Sequence, residues 1–379
     1  MKIPVYLDYN ATTPIDLEVV NEMLPYIHTN FGNPSSSYSI GRSNSEAITH
    51  ARNQVARLIN AKPEEIIFTS GGTESNNHAI QGIAYASRNK GKHIITSVIE
   101  HPAVIEVCRH LNSQGYQITY VPVDSNGMVN PDEIANAIQP GTILISIMHA
   151  NNEVGTIQPI KEIAAIAQQR NIVFHTDAAQ SIGKIDTDVR IPGVNLLSIA
   201  GHKLYAPKGI GALYIKQGTT VGNLIYGAGQ ERGFRPGTEN VIHIVGLGKA
   251  CELAKGALEK HRSNMILMRD RLLHGLKNTL GELVKINGDI ENCLPNTLSI
   301  AFKGIDAHTL AALISRDLLI SVGSACHSAR AEISPVLKAM NVNFMTAAST
   351  VRISTGKGTT ADEIDFAISV LTAAVKRLQ

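Results

Sequence analysis

Ile172-Val173-Phe174-His175-Thr176-Asp177-Ala178-Ala179-Gln180 and Leu196-Leu197-Ser198-Ile199-Ala200-Gly201-His202-Lys203 each read as a short apolar strand that runs out into a polar residue. In an open α/β sheet, ligands collect beyond the carboxyl ends of the strands, so these segments predict one crevice holding Asp177 and Lys203. Both residues sit among small apolar neighbours rather than in a charged run. Taken singly, a lysine is mostly solvated and an aspartate after a strand mostly caps the next helix. Delivered together to one place, they form an acid and amine pair with chemical use.

A phosphate site is predicted upstream. Ile66-Ile67-Phe68-Thr69 is a strand running into Ser70-Gly71-Gly72-Thr73-Glu74-Ser75-Asn76-Asn77 and a helix carrying Ile80, Ile83 and Ala84. Such a turn gathers free backbone N–H groups and the positive helix end at one point, with Thr73 adding a hydroxyl. Glycine turns are common, and this one matches neither the P-loop nor the dinucleotide fingerprint, so nucleotide binding is not expected. With Asp177 and Lys203 it points to pyridoxal 5'-phosphate, whose aldehyde is captured by a lysine and whose pyridine nitrogen is held protonated by a carboxylate.

Strand and helix patterns alternate along the rest of this half. Ile94-Ile95-Thr96-Ser97 leads to Glu100-His101-Pro102, and Ile143-Leu144-Ile145-Ser146-Ile147-Met148 leads to His149-Ala150-Asn151-Asn152-Glu153. Residues 118–121 and 212–215 add two strands. The pattern predicts an α/β fold with a mostly parallel sheet covered by helices on both faces. His101 and Asn152 then join Asp177 and Lys203 at the same edge. A lone histidine there is usually structural, but in this company it suits stacking on an aromatic cofactor and moving protons.

The flanking regions read less regularly. Residues 1–42 are rich in turn formers and predict irregular arms, either a loose terminus or a loop lining the site. A helix pattern starts at Ser45, with Ala47, Ala51, Val55, Leu58 and Ile59 on one stripe. Residues 227–240 interleave glycines with Arg232 and Arg235, which predicts an anion-handling segment against the plainer reading of a solvated loop. A helical pattern over 252–280 leads to a smaller α+β domain. There Leu298, Ile300 and Phe302 alternate as one face of a half-buried strand, and residues 318–322 run into Gly323-Ser324-Ala325-Cys326-His327-Ser328-Ala329-Arg330. Thr360 and Glu363 form a capping box before a final helix carrying Ile364, Ile368, Leu371, Val375 and Leu378.

Composition bounds these readings. With 379 residues the chain suits two domains, and 44% hydrophobic with 17% charged residues is ordinary for a globular enzyme. A net charge of +2 points to neither nucleic acid nor a membrane surface. The sequence holds no run of about 18 apolar residues and no leader pattern, so a cytoplasmic protein is expected. Cys108, Cys251, Cys293 and Cys326 form no C-x-x-C pair, and no histidine cluster has metal spacing, so neither a disulfide framework nor a metal site is expected. Most free cysteines are inert; Cys326 differs by its loop setting beside His327 and Arg330, which favour thiolate.

Several of these motifs in one order resemble the class V, fold-type I pyridoxal-phosphate enzymes, and within them the cysteine desulfurases. The likeness runs nearly full length, through Leu7-Asp8-Tyr9-Asn10-Ala11-Thr12-Thr13-Pro14, Thr69-Ser70-Gly71-Gly72-Thr73-Glu74-Ser75, Met148-His149-Ala150-Asn151-Asn152-Glu153-Val154-Gly155, Gly201-His202-Lys203 and Gly323-Ser324-Ala325-Cys326. The resemblance implies an N-terminal arm over 1–15, a large cofactor domain over 16–255 and a small domain over 256–379. It implies Lys203 as the lysine joined to the cofactor, Asp177 at the ring nitrogen, Gln180 at the ring hydroxyl and His101 stacked on the ring. Gly72, Thr73 and His202 would hold the phosphate, with Thr238 reaching it from a second subunit of a homodimer. Asn152 and Arg352 would bind the substrate carboxylate, and Cys326 would be the nucleophile.

The activity so implied is conversion of L-cysteine to L-alanine, with sulfur left on Cys326 as a persulfide for a protein acceptor or scaffold, as in iron–sulfur cluster assembly or the thiolation of tRNA or DNA. Ala200, where many desulfurases have serine, Tyr38, where many have histidine, and the Ala325-Cys326-His327-Ser328 run look like the related selenocysteine lyases. Pro102 looks like the desulfurases. L-Selenocysteine is therefore the alternative substrate. An aminotransferase and a non-enzymatic scaffold of the same fold are further readings, the first requiring no Cys326 and the second no cofactor.

Overall fold

A computed structural model describes residues 3–322 and 333–379. After a short strand β1 (Val5–Tyr6), the larger sheet is built from β2 (Ile66–Thr69), β3 (His93–Ser97), β4 (Gln117–Val121), β5 (Thr142–Ser146), β6 (Val173–Asp177), β7 (Leu196–Ala200) and β8 (Gly211–Ile215). Their spatial order is β2-β8-β7-β6-β5-β3-β4. β8 runs antiparallel to β2 and to β7, and the other neighbours are parallel. Side chains alternate across a strand, so Ile94 and Leu144 enter the core on one face while Ile95 and Ile145 enter the other. Helices cover both, Gly72–Ala86 and Pro102–Ser113 on the first face, Ser39–Leu58 and Ile160–Gln169 on the second. Burial on both faces explains why these strands read as continuous apolar runs.

The helix Val241–Leu280 spans 40 residues and passes from the core under the larger sheet to a second core, with a non-helical break at Ala257. That second core lies under a four-stranded antiparallel sheet of β9 (Val284–Ile286), β10 (Thr297–Phe302), β12 (Ser321–Val322) and β13 (Thr350–Ser354), in the order β12-β13-β10-β9. β11 (Leu318–Leu319) pairs in parallel with β1, which brings Val5 and Leu7 into the same core. The final helix, Ala361–Leu378, starts at the capping box of Thr360 and Glu363.

Three expectations are corrected. Residues 1–42 are not all irregular: the helix Leu17–His28 starts at Asp16, whose side chain accepts from the Glu18 N–H at 2.8 Å. Its apolar residues do keep helical spacing, with Val20, Met23, Leu24 and Ile27 on one side, but Leu17, Leu24 and Ile27 stay exposed while Val19 and Met23 are buried, and turn formers on both flanks mask the stripe. The next helix opens at Ser39, ahead of Ser45. β10 is buried at all six positions, because its second face is pressed against polar partners: Asn10 donates to Thr297 Oγ1 at 2.8 Å and Asn287 to Ser299 Oγ at 3.2 Å.

Candidate active site

The carboxyl ends of β2, β3, β5, β6 and β7 open onto one cavity of about 300 Å³. Gly72, Thr73, His101, Asn152, Asp177, Gln180, His202, Lys203 and Arg352, drawn from separate stretches of sequence, all line it. Thr238 does not; it is exposed on the segment before the helix Val241–Leu280. Cys326 lies outside the described residues.

Asp177 ends β6 and is 6% exposed. Its carboxylate accepts from Asn76 Nδ2 at 2.7 Å and from the Ala179 N–H at 2.9 Å, which fixes its direction. Lys203 closes the short helical turn Gly201–Lys203 directly after β7. Its Nζ donates to the Asn10 and Ala11 carbonyls at 2.5 and 2.8 Å. Desolvation, with the Arg352 charge adding to it and the Asp8 and Asp177 carboxylates opposing, lowers its pKa to about 8. The amine is therefore available in neutral form near physiological pH.

His101 is the N-cap of Pro102–Ser113, its Nδ1 accepting from the Ala103 N–H at 3.1 Å. Accepting at Nδ1 leaves any ring proton on Nε2. Desolvation of the ring lowers its pKa, and Lys203 adds to this while Asp177 opposes it, so the imidazole is kept neutral. His202 has Nδ1 3.2 Å from Thr12 Oγ1, and desolvation followed by the Lys203 and Lys208 charges pulls its pKa down to about 4.

The glycine turn after β2 is shaped by close approach. Gly71 has φ of +150°, which favours glycine, and no side chain caps the helix it begins. A Cβ on Gly72 would lie 3.1 Å from the Ala200 Cβ, so the Ala200 methyl packs straight onto the turn. Glu74 in the first helical turn accepts from the Ser70 N–H at 2.8 Å and pairs with Arg235 at 2.9 Å. Arg232 donates to the Ile66 carbonyl, and the neighbouring Glu231 forms two 2.7 Å bonds with Arg52 and accepts from the Phe68 N–H. The arginines expected to handle an anion are thus held by internal partners that fasten the 227–240 segment to β2 and the helix Gly72–Ala86.

Arg352 stands in the middle of β13 and crosses to the cavity mouth, where Nη1 donates to the Asn152 carbonyl at 2.9 Å and Nη2 to Asp8 at 2.8 Å. Asn151 shapes the turn that presents Asn152, its Oδ1 accepting from the Glu153 and Val154 N–H groups. Two further residues on the cavity wall escaped the sequence reading. Asn76 looks like an ordinary helix residue until it meets Asp177, and Asn10 looks like a turn former until its carbonyl meets both Lys203 and Gln180. Tyr38 is 58% exposed and does not line the cavity.

The set fits pyridoxal phosphate on structural grounds. A rigidly held acid, a lysine of lowered pKa and a neutral imidazole face one space beside a glycine turn on a helix start. Two buried polar atoms there, Asn76 Oδ1 and Arg352 Nε, lack hydrogen-bond partners.

Comparison with known proteins agrees with this geometry. The Aminotransferase class-V family model matches residues 5–366. The chain is 48% identical over 376 residues to cysteine desulfurase IscS of Methanosarcina thermophila, covering 99% of this chain and 93% of that one. It is 47% identical over 382 residues to cysteine desulfurase IscS of Dictyoglomus turgidum, covering 100% and 96%. A solved NifS-like protein superposes with a TM-score of 0.93 at 38% identity, covering 99% and 100% of the two chains. SspA in complex with cysteine superposes at 0.82 with 37% identity, covering 94% and 99%. The chain belongs to the Aminotransferase class-V family, the pyridoxal-phosphate enzymes that include the cysteine desulfurases.

Proposed function

We propose that this protein is a cysteine desulfurase that converts L-cysteine to L-alanine and hands the sulfur to a protein acceptor through a persulfide on Cys326. The observation that carries the reading is the convergence of Lys203, Asp177, His101 and Arg352 on one cavity, in a chain whose full-length relatives are cysteine desulfurases.

Bound pyridoxal phosphate supplies an electron sink for the substrate Cα. Asp177, held by Asn76, would face its ring nitrogen, Gln180 its ring oxygen and His101 its flat face. Gly72, Thr73 and His202 would receive the phosphate at the helix start, with Thr238 contributed by a second copy. Lys203, largely neutral above about pH 8, would remove the Cα proton and return one to the product. Arg352 and Asn152 would hold the substrate carboxylate, which explains why a guanidinium from the smaller sheet reaches the larger one. The Cys326 thiolate would attack the substrate sulfur as the carbon–sulfur bond breaks, leaving the persulfide on the enzyme.

A homodimer accords with the exposed apolar side chains Leu17, Leu24, Ile27, Phe31 and Tyr226 on one chain. We divide the chain at the helix break beside Ala257, into an arm over 1–15, a large domain over 16–255 and a small domain over 256–379. Cys108, Cys251 and Cys293 are free thiols, in keeping with a cytoplasmic protein, and no described helix is long and apolar enough to cross a membrane.

Anaerobic assay of the purified holoprotein with L-cysteine and, separately, L-selenocysteine tests the function. Matched release of alanine and sulfide from cysteine is expected. Turnover of selenocysteine alone, or keto-acid-dependent exchange of the amino group without sulfide, would overturn it.

A further inference from the structure

Lys184 is a lysine in the interior, 6% exposed, behind the wall of the cavity. Burying an amine is costly unless its donors are met, and here the bonds go to two neutral amides rather than to a carboxylate. Its Nζ donates to Gln180 Oε1 at 3.0 Å and to Asn10 Oδ1 at 3.1 Å. Gln180 in turn donates from Nε2 to the Asn10 carbonyl at 3.0 Å, the same carbonyl that receives Lys203.

This arrangement decides which way Gln180 points. Burial, with the Lys203 and Arg352 charges adding to it, lowers the Lys184 pKa well below the ordinary lysine value, yet the amine still donates to two amide oxygens. The Asn10 carbonyl, which can only accept, meets Gln180 Nε2, and together the two contacts put the Gln180 oxygen on the lysine side. Turning the amide over would set its NH₂ against the amine and its oxygen against the Asn10 carbonyl, losing both bonds in the interior. With Oε1 committed to Lys184, Nε2 keeps one proton for Asn10 and has a second free for the cavity that Gln180 lines. The side chain then presents a donor, and only a donor, to whatever lies beside it.

We propose that Lys184 is a positioning residue that locks the Gln180 amide with its Nε2–H toward the cofactor, so that the ring oxygen is held in its deprotonated form. The proposal rests on the placement of pyridoxal phosphate in this cavity. It assigns a function to a residue that touches neither cofactor nor substrate, and it explains why the interior tolerates a lysine four residues beyond Gln180. Asn296 provides an internal control. It donates to the same Asn10 Oδ1 at 3.0 Å but has no bond to Gln180, so it shares the hub without sharing the proposed role.

The test is the absorption spectrum and cofactor retention of the reconstituted holoprotein with Lys184→Met and with Asn296→Ala. Without Lys184, Gln180 Oε1 loses its donor and the Asn10 carbonyl alone restrains the amide, so the Nε2–H is set less firmly toward the ring oxygen and a protonated ring oxygen is favoured. In Lys184→Met the visible band is therefore expected to fall and a shorter-wavelength band to grow, with cofactor affinity about tenfold weaker, as for loss of one hydrogen bond to a charged group. Asn296→Ala is expected to keep the wild-type spectrum. If Lys184→Met does not fold, Lys184→Gln is read instead, since a buried amide keeps a donor but permits either orientation of Gln180; the same spectral change, smaller, is expected. An unchanged spectrum in the folded Lys184 variant, or an equal change in Asn296→Ala, would overturn the proposal. A wild-type protein that stays colourless with pyridoxal phosphate would instead overturn the cofactor placement itself.

Discussion

Arg352 donates to the Asp8 carboxylate at 2.8 Å, and the two residues stand 344 positions apart in the chain. The bond ties the smaller sheet to the N-terminal segment at the cavity mouth, while the other Arg352 nitrogen reaches the Asn152 carbonyl from the larger sheet. A guanidinium spans these two acceptors because its donors are spread in a plane; an ammonium cannot meet both in that geometry. Arg352→Lys is expected to raise the KM for cysteine about tenfold to a hundredfold, corresponding to about 1.5–3 kcal/mol for a hydrogen bond to a charged group. Steady-state alanine formation measures it, and an unchanged KM would remove Arg352 from the substrate site.

Lys203 carries a pH signature. Its pKa is lowered to about 8 in the folded protein by desolvation and then by Arg352, and only the neutral amine captures an aldehyde. Reconstitution of the apoprotein with pyridoxal phosphate should therefore speed up as pH rises, with a midpoint near 8 rather than near that of an ordinary lysine. Stopped-flow absorbance across pH 6–10 reads it directly. The same sign applies to stability: the native state disfavours the charged form, so this penalty on the apoprotein is full below about pH 8 and fades as pH climbs toward the unfolded lysine value.

Glu231 and Arg52 form a buried two-bond pair, with side chains 3% and 12% exposed, and Glu231 also receives the Phe68 N–H. Removing the carboxylate leaves a guanidinium and a strand amide without their acceptor. Glu231→Ala should cost about 3–5 kcal/mol of stability, seen as a lowered urea midpoint. Because the same segment leads to Thr238, cofactor retention should weaken as well; a wild-type midpoint would show that this fastening is dispensable.

Cys326→Ala separates cofactor chemistry from sulfur transfer. The variant should bind pyridoxal phosphate and keep its colour while sulfide release from cysteine disappears. Normal sulfide output would place the nucleophile elsewhere. Cys108 and Cys251 are poor substitutes, since burial pushes the Cys108 thiol up to about 12 and raises that of Cys251 further still.

Local pattern was enough to read the parallel sheet and the residues at its edge. Strands buried on both faces leave unbroken apolar runs, and each run ends where its polar residue must emerge, so Asp177, Lys203, His101 and Asn152 are visible in one dimension. The helix Leu17–His28 was not, because the turn formers on either side, residues 10–14 and 32–37, outweigh the helical spacing of Val20, Met23, Leu24 and Ile27. Nor were the roles of Asn76, Asn10 and Lys184 visible. Asn76 meets Asp177 across 101 positions and Asn10 meets Lys203 across 193, and neither spacing belongs to a helix or a strand. The residue types that do the chemistry are thus written in the linear order, since chemistry demands a particular acid, amine or thiol. Which way each points, and at what pKa, is settled only when distant segments pack, because orientation and desolvation are properties of neighbours.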